Sequence, residues 1–393
     1  MKTILALLCL LLLSGPGQAQ QAALAFEPTT WTTAMQKAQQ LQRPVFVYAY
    51  SPGCHFCQQM EKTTLRNAAL ATYYNTAFVS VKVDVTVDTA FARRYDINGF
   101  PTYLYFDSAG QPLHRSSGEK PAAAFIADAQ AAFQPQTAFY ALQRQYQAGN
   151  RSPDLLYRYS QALNSSNQRR NPQAQVLTEY LATQSALQLK SEKNIRYLFE
   201  QYSAPTDEYI IRHQADFAPY FPAAVVQKRA YRILAARAFD AGKQTSGEAF
   251  RTVQELAHTQ FADTAQAGHT ARINFWEGRR DWLRYAQATR RYSLLASPDP
   301  YTLRKSATYL YHFGEEQGPE RQQQALQEIL AVLPVLLQAE RSYESLLLCA
   351  RLEHQAHRLA PARQLAEEAL AIAPQHHETG EEAQTLLAAL PAR

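Results

Sequence analysis

The stretch that decides the fold is Pro44-Val45-Phe46-Val47-Tyr48-Ala49-Tyr50-Ser51-Pro52-Gly53-Cys54-His55-Phe56-Cys57. Its first half is an unbroken apolar, β-branched and aromatic run, the pattern of a strand covered on both faces. Ser51-Pro52-Gly53 is turn chemistry, and the two cysteines then open a helix expected to run to about residue 65. The Cys-x-x-Cys spacing puts two sulfurs on the first turn of that helix. There the unpaired backbone N–H groups and the helix dipole favour negative charge, which lowers a thiol pKa and raises the thiolate fraction. Thiolate is the attacking species in disulfide exchange, so Cys54 reads as the nucleophile and Cys57 as the resolving thiol.

Outward from this stretch, residues 24–135 alternate between helix-like and strand-like segments. Trp31, Met35, Ala38 and Leu41 at helical spacing predict a short amphipathic helix over 29–41. Residues 77–85 read as a second buried strand and 87–95 as a helix with Phe91 and Tyr95 on one face. After Phe100-Pro101-Thr102 comes a strand over 103–106. The turn Asp107-Ser108-Ala109-Gly110 leads to a fourth strand near 113–116, and an Ala-rich helix closes the segment over 120–133. A parallel βαβ start followed by an antiparallel hairpin predicts an α/β domain, a mixed sheet with helices on both faces.

From residue 136 to 393 strand signals are rare. Helical stretches are punctuated by Gly149-Asn150, Pro153, Pro205, Pro222, Ser297-Pro298 and Gly318-Pro319, which read as stacked α-hairpins. Ala350, Ala362, Ala369 and Pro374 have the spacing of a tetratricopeptide unit. Such arrays build concave surfaces that recruit proteins. Trp276, Arg279, Arg280, Trp282, Arg290 and Arg291 would suit a binding face, although helix core for the aromatics and wet surface for the arginines is the reading preferred for any one of them.

At 393 residues the chain suggests two or three domains on a prior of about 150 residues each. Apolar residues at 46% and charged residues at 19% are the composition of a globular protein. The net charge of +5 is scattered rather than blocked, which gives little support to nucleic-acid or membrane-surface binding. Lys2, the apolar run over 4–13 and the small residues Gly17 and Ala19 read as a signal peptide over 1–19, cleaved after Ala19. A periplasmic or otherwise exported protein is expected, with no later membrane span. Cys9 would leave with the leader, and Cys349 stands alone as a small buried hydrophobe.

The quoted stretch, with Gly99-Phe100-Pro101-Thr102 further on, resembles the thioredoxin superfamily over residues 24–135. The run Cys57-Gln58-Gln59-Met60-Glu61-Lys62 looks most like bacterial periplasmic members, including the C-terminal domain of the transmembrane thiol–disulfide transporter. The resemblance implies a protein-disulfide oxidoreductase with protein or peptide disulfides as substrates, a redox partner protein and no cofactor. It also implies a cis bond before Pro101, with the Phe100 backbone pairing an extended substrate segment.

The resemblance places Tyr48 where thioredoxin itself has a buried Asp that takes the resolving thiol's proton. Glu61, matching an acidic residue of the periplasmic relatives, is the candidate for that role, or else a solvated helix carboxylate. Two readings stand for His55: a cation that stabilises the Cys54 thiolate, or an exposed first-turn residue. No second Cys-x-x-Cys or His pair at ligand spacing accompanies the cysteines, so no metal is expected, copper carriage being the variant left open. The leading expectation is a reductase; an exported scaffold that docks through a thioredoxin-like domain is the alternative.

Overall fold

The computed structural model describes residues 23–168, 171–376 and 378–391. The leader expected over 1–19, with its cleavage point at Ala19 and Cys9, lies outside the described residues. The chain divides into two compact units, one reaching to Thr206 and one running from Asp207.

In the first unit the elements are α1 (Trp31–Leu41), β1 (Val45–Tyr50), α2 (His55–Lys62), α3 (Ala68–Ala77), β2 (Val79–Asp84), α4 (Thr89–Arg94), β3 (Thr102–Phe106), β4 (Pro112–Ser117) and α5 (Ala122–Ala131). The sheet order is β2-β1-β3-β4. β1 pairs parallel with β2 and antiparallel with β3, and β3 pairs antiparallel with β4. This is the expected mixed sheet. Alternate residues of β1 feed two cores. Phe46 and Tyr48 join Cys57, Met60, Leu70, Tyr74 and Phe125 beneath α2, α3 and α5. Val45, Val47 and Ala49 join Ala34, Ala38, Val81 and Phe91 beneath α1 and α4.

Two expectations are corrected. The helix opening at the cysteines ends at Lys62 rather than near 65, and a 3₁₀ turn over Thr64–Arg66 follows. The segment from Ala68 to Ala77, which had no helix assigned, is α3. Asn67 caps it by accepting the Leu70 N–H, and Leu70, Ala71 and Tyr74 form its buried face. Alanine and two adjacent tyrosines give only a weak periodic signal. Tertiary burial decides the element, because the Tyr74 hydroxyl is held by Tyr105 and by the Phe125 carbonyl, both at 2.8 Å.

The first unit continues past the sheet into α6 (Phe139–Gln147), α7 (Pro153–Asn164) and α8 (Gln173–Ala182). Of these, α6 packs on β4, the edge strand, where unpaired backbone would otherwise invite another strand, while α7 packs on α6 and α8 on α7. His114 on β4 accepts the Phe139 N–H through Nδ1 at 3.0 Å, and its Nε2 is buried without a partner. Burial pushes its pKa down to about 4, with Lys120 adding to the effect and Asp128 opposing it.

Among the described residues, everything from Phe139 on is helix, turn or an isolated bridge. In the second unit Ala350, Ala362 and Ala369 are fully buried between the helices Tyr343–Gln355 and Leu359–Ile372. Pro374 falls in the 3₁₀ turn Ala373–His376 that ends this pair. The helices Ala223–Lys243 and Thr264–Arg279 cross closely through glycines. A Cβ at Gly242 would lie 2.0 Å from the Phe275 oxygen, and one at Gly278 2.0 Å from the Phe239 oxygen. No helix among the described residues is long and apolar enough to cross a membrane.

Two predictions follow from this packing. Helix propensity alone favours alanine over glycine by about 1 kcal/mol, but backbone meeting Cβ must part the helices at a cost of about 1–3 kcal/mol. Gly242→Ala and Gly278→Ala should therefore each lower the urea midpoint, and a raised midpoint would exclude so close a crossing. For His114, protonation at Nδ1 removes the acceptor for the Phe139 N–H, so the unfolded chain binds the proton more readily. Stability is full above about pH 6.5 and declines as pH falls towards 4, by about 3 kcal/mol in all. In His114→Gln that slope should flatten; an unaltered slope between pH 4 and 6.5 would assign the acid sensitivity to other groups.

Candidate active site

β1 delivers the chain to a turn whose Ser51 carbonyl accepts the Cys54 N–H at 3.1 Å. Cys54 is the N-cap of α2, with extended backbone, and its sulfur accepts the Cys57 N–H at 3.1 Å. The first-turn amide expected to favour negative charge at this sulfur is therefore directed at it. Cys54 and Cys57 are disulfide-bonded to each other. The pair is asymmetric: Cys54 is half-buried, whereas Cys57 is 1% exposed and packed into the core with Met60 and Tyr48. An incoming group reaches Cys54 first.

His55 and Phe56 lie on the exposed side of this turn, Phe56 at 55% exposure, and their rings meet edge to face. Phe100 is half-buried and Pro101 buried, and the bond between them is cis. Phe100 and Cys54 both pack against the core cluster that holds Cys57. The Pro101 carbonyl is taken by the Gly118 N–H at 2.9 Å, and the Thr102 hydroxyl donates to the Gly99 carbonyl at 2.7 Å. The loop before β3 is thus held from both sides.

Beneath the disulfide lies a polar group that residue spacing revealed only in part. The Tyr48 hydroxyl donates to the Cys57 carbonyl at 3.1 Å. Burial, and then the neighbouring Glu61 and Tyr50, push the Tyr48 phenol well above its ordinary range, so it stays a neutral donor. Glu61 is not free in solvent: its Oε1 accepts from Lys82 Nζ at 2.9 Å. Lys82 on β2 stands beside Tyr48 in the sheet register and lies 4.4 Å from the centre of the Tyr50 ring. Sequence reasoning missed Lys82. The available signal was a lone long cation inside the otherwise buried run over 79–83.

Four of the six helical residues offered as a binding face have structural partners. Trp282 is buried and donates Nε1–H to Glu316 at 2.9 Å. Arg280 pairs with the same carboxylate, and Arg290 with Glu328 at 2.8 Å. Trp276 is half-buried against the core around Tyr285.

Sheet, cis-proline loop and N-capping Cys-x-x-Cys pair together define a thioredoxin-like domain. Residues 31–132 match the family model described as a thioredoxin-like domain. Over 64 residues the chain is 39% identical to protein disulfide isomerase-like 1-4 of Oryza sativa subsp. japonica, a match covering 16% of this chain and 11% of that protein. The chain thus spans about a tenth of the length of this curated relative. Among solved structures, a candidate disulphide-isomerase from Bacteroides thetaiotaomicron is 23% identical, covering 30% of this chain and 98% of that one with a TM-score of 0.28. A DsbH oxidoreductase is 19% identical, covering 30% and 94% with a TM-score of 0.26.

Proposed function

We propose that the chain is an exported protein-disulfide reductase acting through Cys54 and Cys57. The observation that carries this reading is the asymmetric disulfide at the first turn of α2, with its outer sulfur on the helix N-terminus. In the reduced protein the Cys54 thiolate attacks one sulfur of a substrate disulfide. The substrate S–S bond breaks, the displaced sulfur leaves as a thiolate and takes up a proton, and a mixed disulfide forms. Cys57 then gives up its proton and attacks the Cys54 sulfur, releasing the second substrate thiol. Two electrons have moved to the substrate, and the Cys54–Cys57 bond remains. A dithiol partner protein returns two electrons and reopens it.

In this reading Glu61 accepts the proton from Cys57, and the Phe100 backbone ahead of Pro101 holds the substrate as an extended segment. His55 borders the reacting sulfur as a supporting residue. The exported location rests on the leader-like residues 1–19. The thioredoxin-like domain spans 24–135, and the tetratricopeptide-like helices of 136–393 recruit the substrate or the recycling partner.

The reduction potential of the purified protein, equilibrated against dithiol and glutathione buffers, tests the direction of transfer. A value near about −270 mV is expected; one between about −180 and −120 mV would make the pair an isomerase or oxidant instead. For Glu61, replacement by Gln should displace the pH profile of disulfide exchange. An unchanged profile would remove this residue from proton transfer.

A further inference from the structure

The loop bearing Gly99, Phe100 and Pro101 is touched by a part of the chain outside the thioredoxin-like match. Residues 165–168, which follow α7, reach back onto it. Ile97 and Gln168 form an antiparallel bridge, and the Asn98 N–H points to the Asn167 carbonyl at 3.4 Å. The Asn167 side chain fills the place a side chain at Gly99 would occupy: a Cβ there would lie 1.8 Å from its amide nitrogen. Asn167 does this from a positive φ of 47°, a conformation asparagine tolerates better than most residues.

Arg115, 1% exposed, ties the two sides together. It donates to the Tyr95 carbonyl at 2.7 Å on the approach to the loop, and to the Ser166 carbonyl at 3.1 Å on the helical side. The Ser117 hydroxyl adds a bond to the Ser165 carbonyl at 2.7 Å.

We propose that residues 165–168 are a positioning element of the redox site, and that the Asn167 side chain, seated on Gly99, sets where Phe100 offers its backbone to a polypeptide substrate. The inference rests on the oxidoreductase reading above. It assigns to the helical extension a role in substrate register rather than in electron transfer. A small disulfide, which has no extended segment to pair, does not need that register, whereas a protein disulfide does. Misplacement of a binding strand by a fraction of an ångström weakens the paired complex without altering the sulfurs.

The test uses the full chain, with dithiothreitol as reductant, insulin as protein disulfide and hydroxyethyl disulfide as small one. Asn167→Gly removes the side chain while keeping the positive φ strain-free; Asn167→Asp preserves its shape. Asn167→Gly should lower the ratio of kcat/KM for insulin to that for hydroxyethyl disulfide about fivefold, through KM. Asn167→Asp should keep the ratio within about twofold of the parent. An unchanged ratio in Asn167→Gly, or a parallel fall on both substrates, overturns the proposal and leaves the oxidoreductase reading standing. If the parent chain reduces neither disulfide, that reading fails and the proposal with it.

Discussion

The rest of the first unit depends on the pairing of β1 on both sides. All six of its residues pair in parallel with β2 and five of them, Val45 to Ala49, pair antiparallel with β3, with both faces under helices. A strand so enclosed has one register, because a slip by one residue would exchange its two buried faces. The end of β1 is therefore a fixed point. The turn after Tyr50 starts from it, and the Ser51 carbonyl on the Cys54 amide fixes where α2 can begin. The outer sulfur becomes an N-cap because the strand stops where it does.

That chain of constraint explains what was legible in the residues. β1 and the helix after it are local features: an apolar run, a Ser-Pro-Gly turn and two cysteines one turn apart. The hairpin of β3 and β4 is likewise written in Asp107-Ser108-Ala109-Gly110. α3 was not legible, since Tyr74 contributes to it through hydroxyl bonds to residues 31 and 51 positions away. Lys82 escaped for the same reason. Its partner Glu61 lies on a helix 21 residues earlier, and only the sheet register brings Lys82 beside Tyr48. Local periodicity reports burial and turns; it does not report which polar groups the fold brings into contact.

The boundary between the sheet and the helices shows another limit of the same kind. Strand signals stop before residue 136, yet the compact unit runs on to Thr206. Its cohesion comes from groups that look unremarkable in sequence. His114 and Arg115 sit on an edge strand, where exposed charged residues usually guard against pairing. Both are instead buried, and each bonds the backbone of the helical segment. The edge is protected here by covering it, which commits two polar side chains to an interior they would ordinarily avoid.

Cys349 makes clear that position, and not the thiol itself, sets the chemistry. It lies in the middle of the helix Tyr343–Gln355, fully buried, where every nearby amide is already spent on the helix ladder. Burial, and then Glu353, push its thiol up to about 12, so it stays protonated at neutral pH. Cys54 is the same residue type at the opposite extreme: half-exposed, at the first turn, with the Cys57 amide aimed at its sulfur. A thiolate needs donors, and a helix offers free ones only at its N-terminus. Of the two, Cys54 sits where a helix offers such a donor and Cys349 does not.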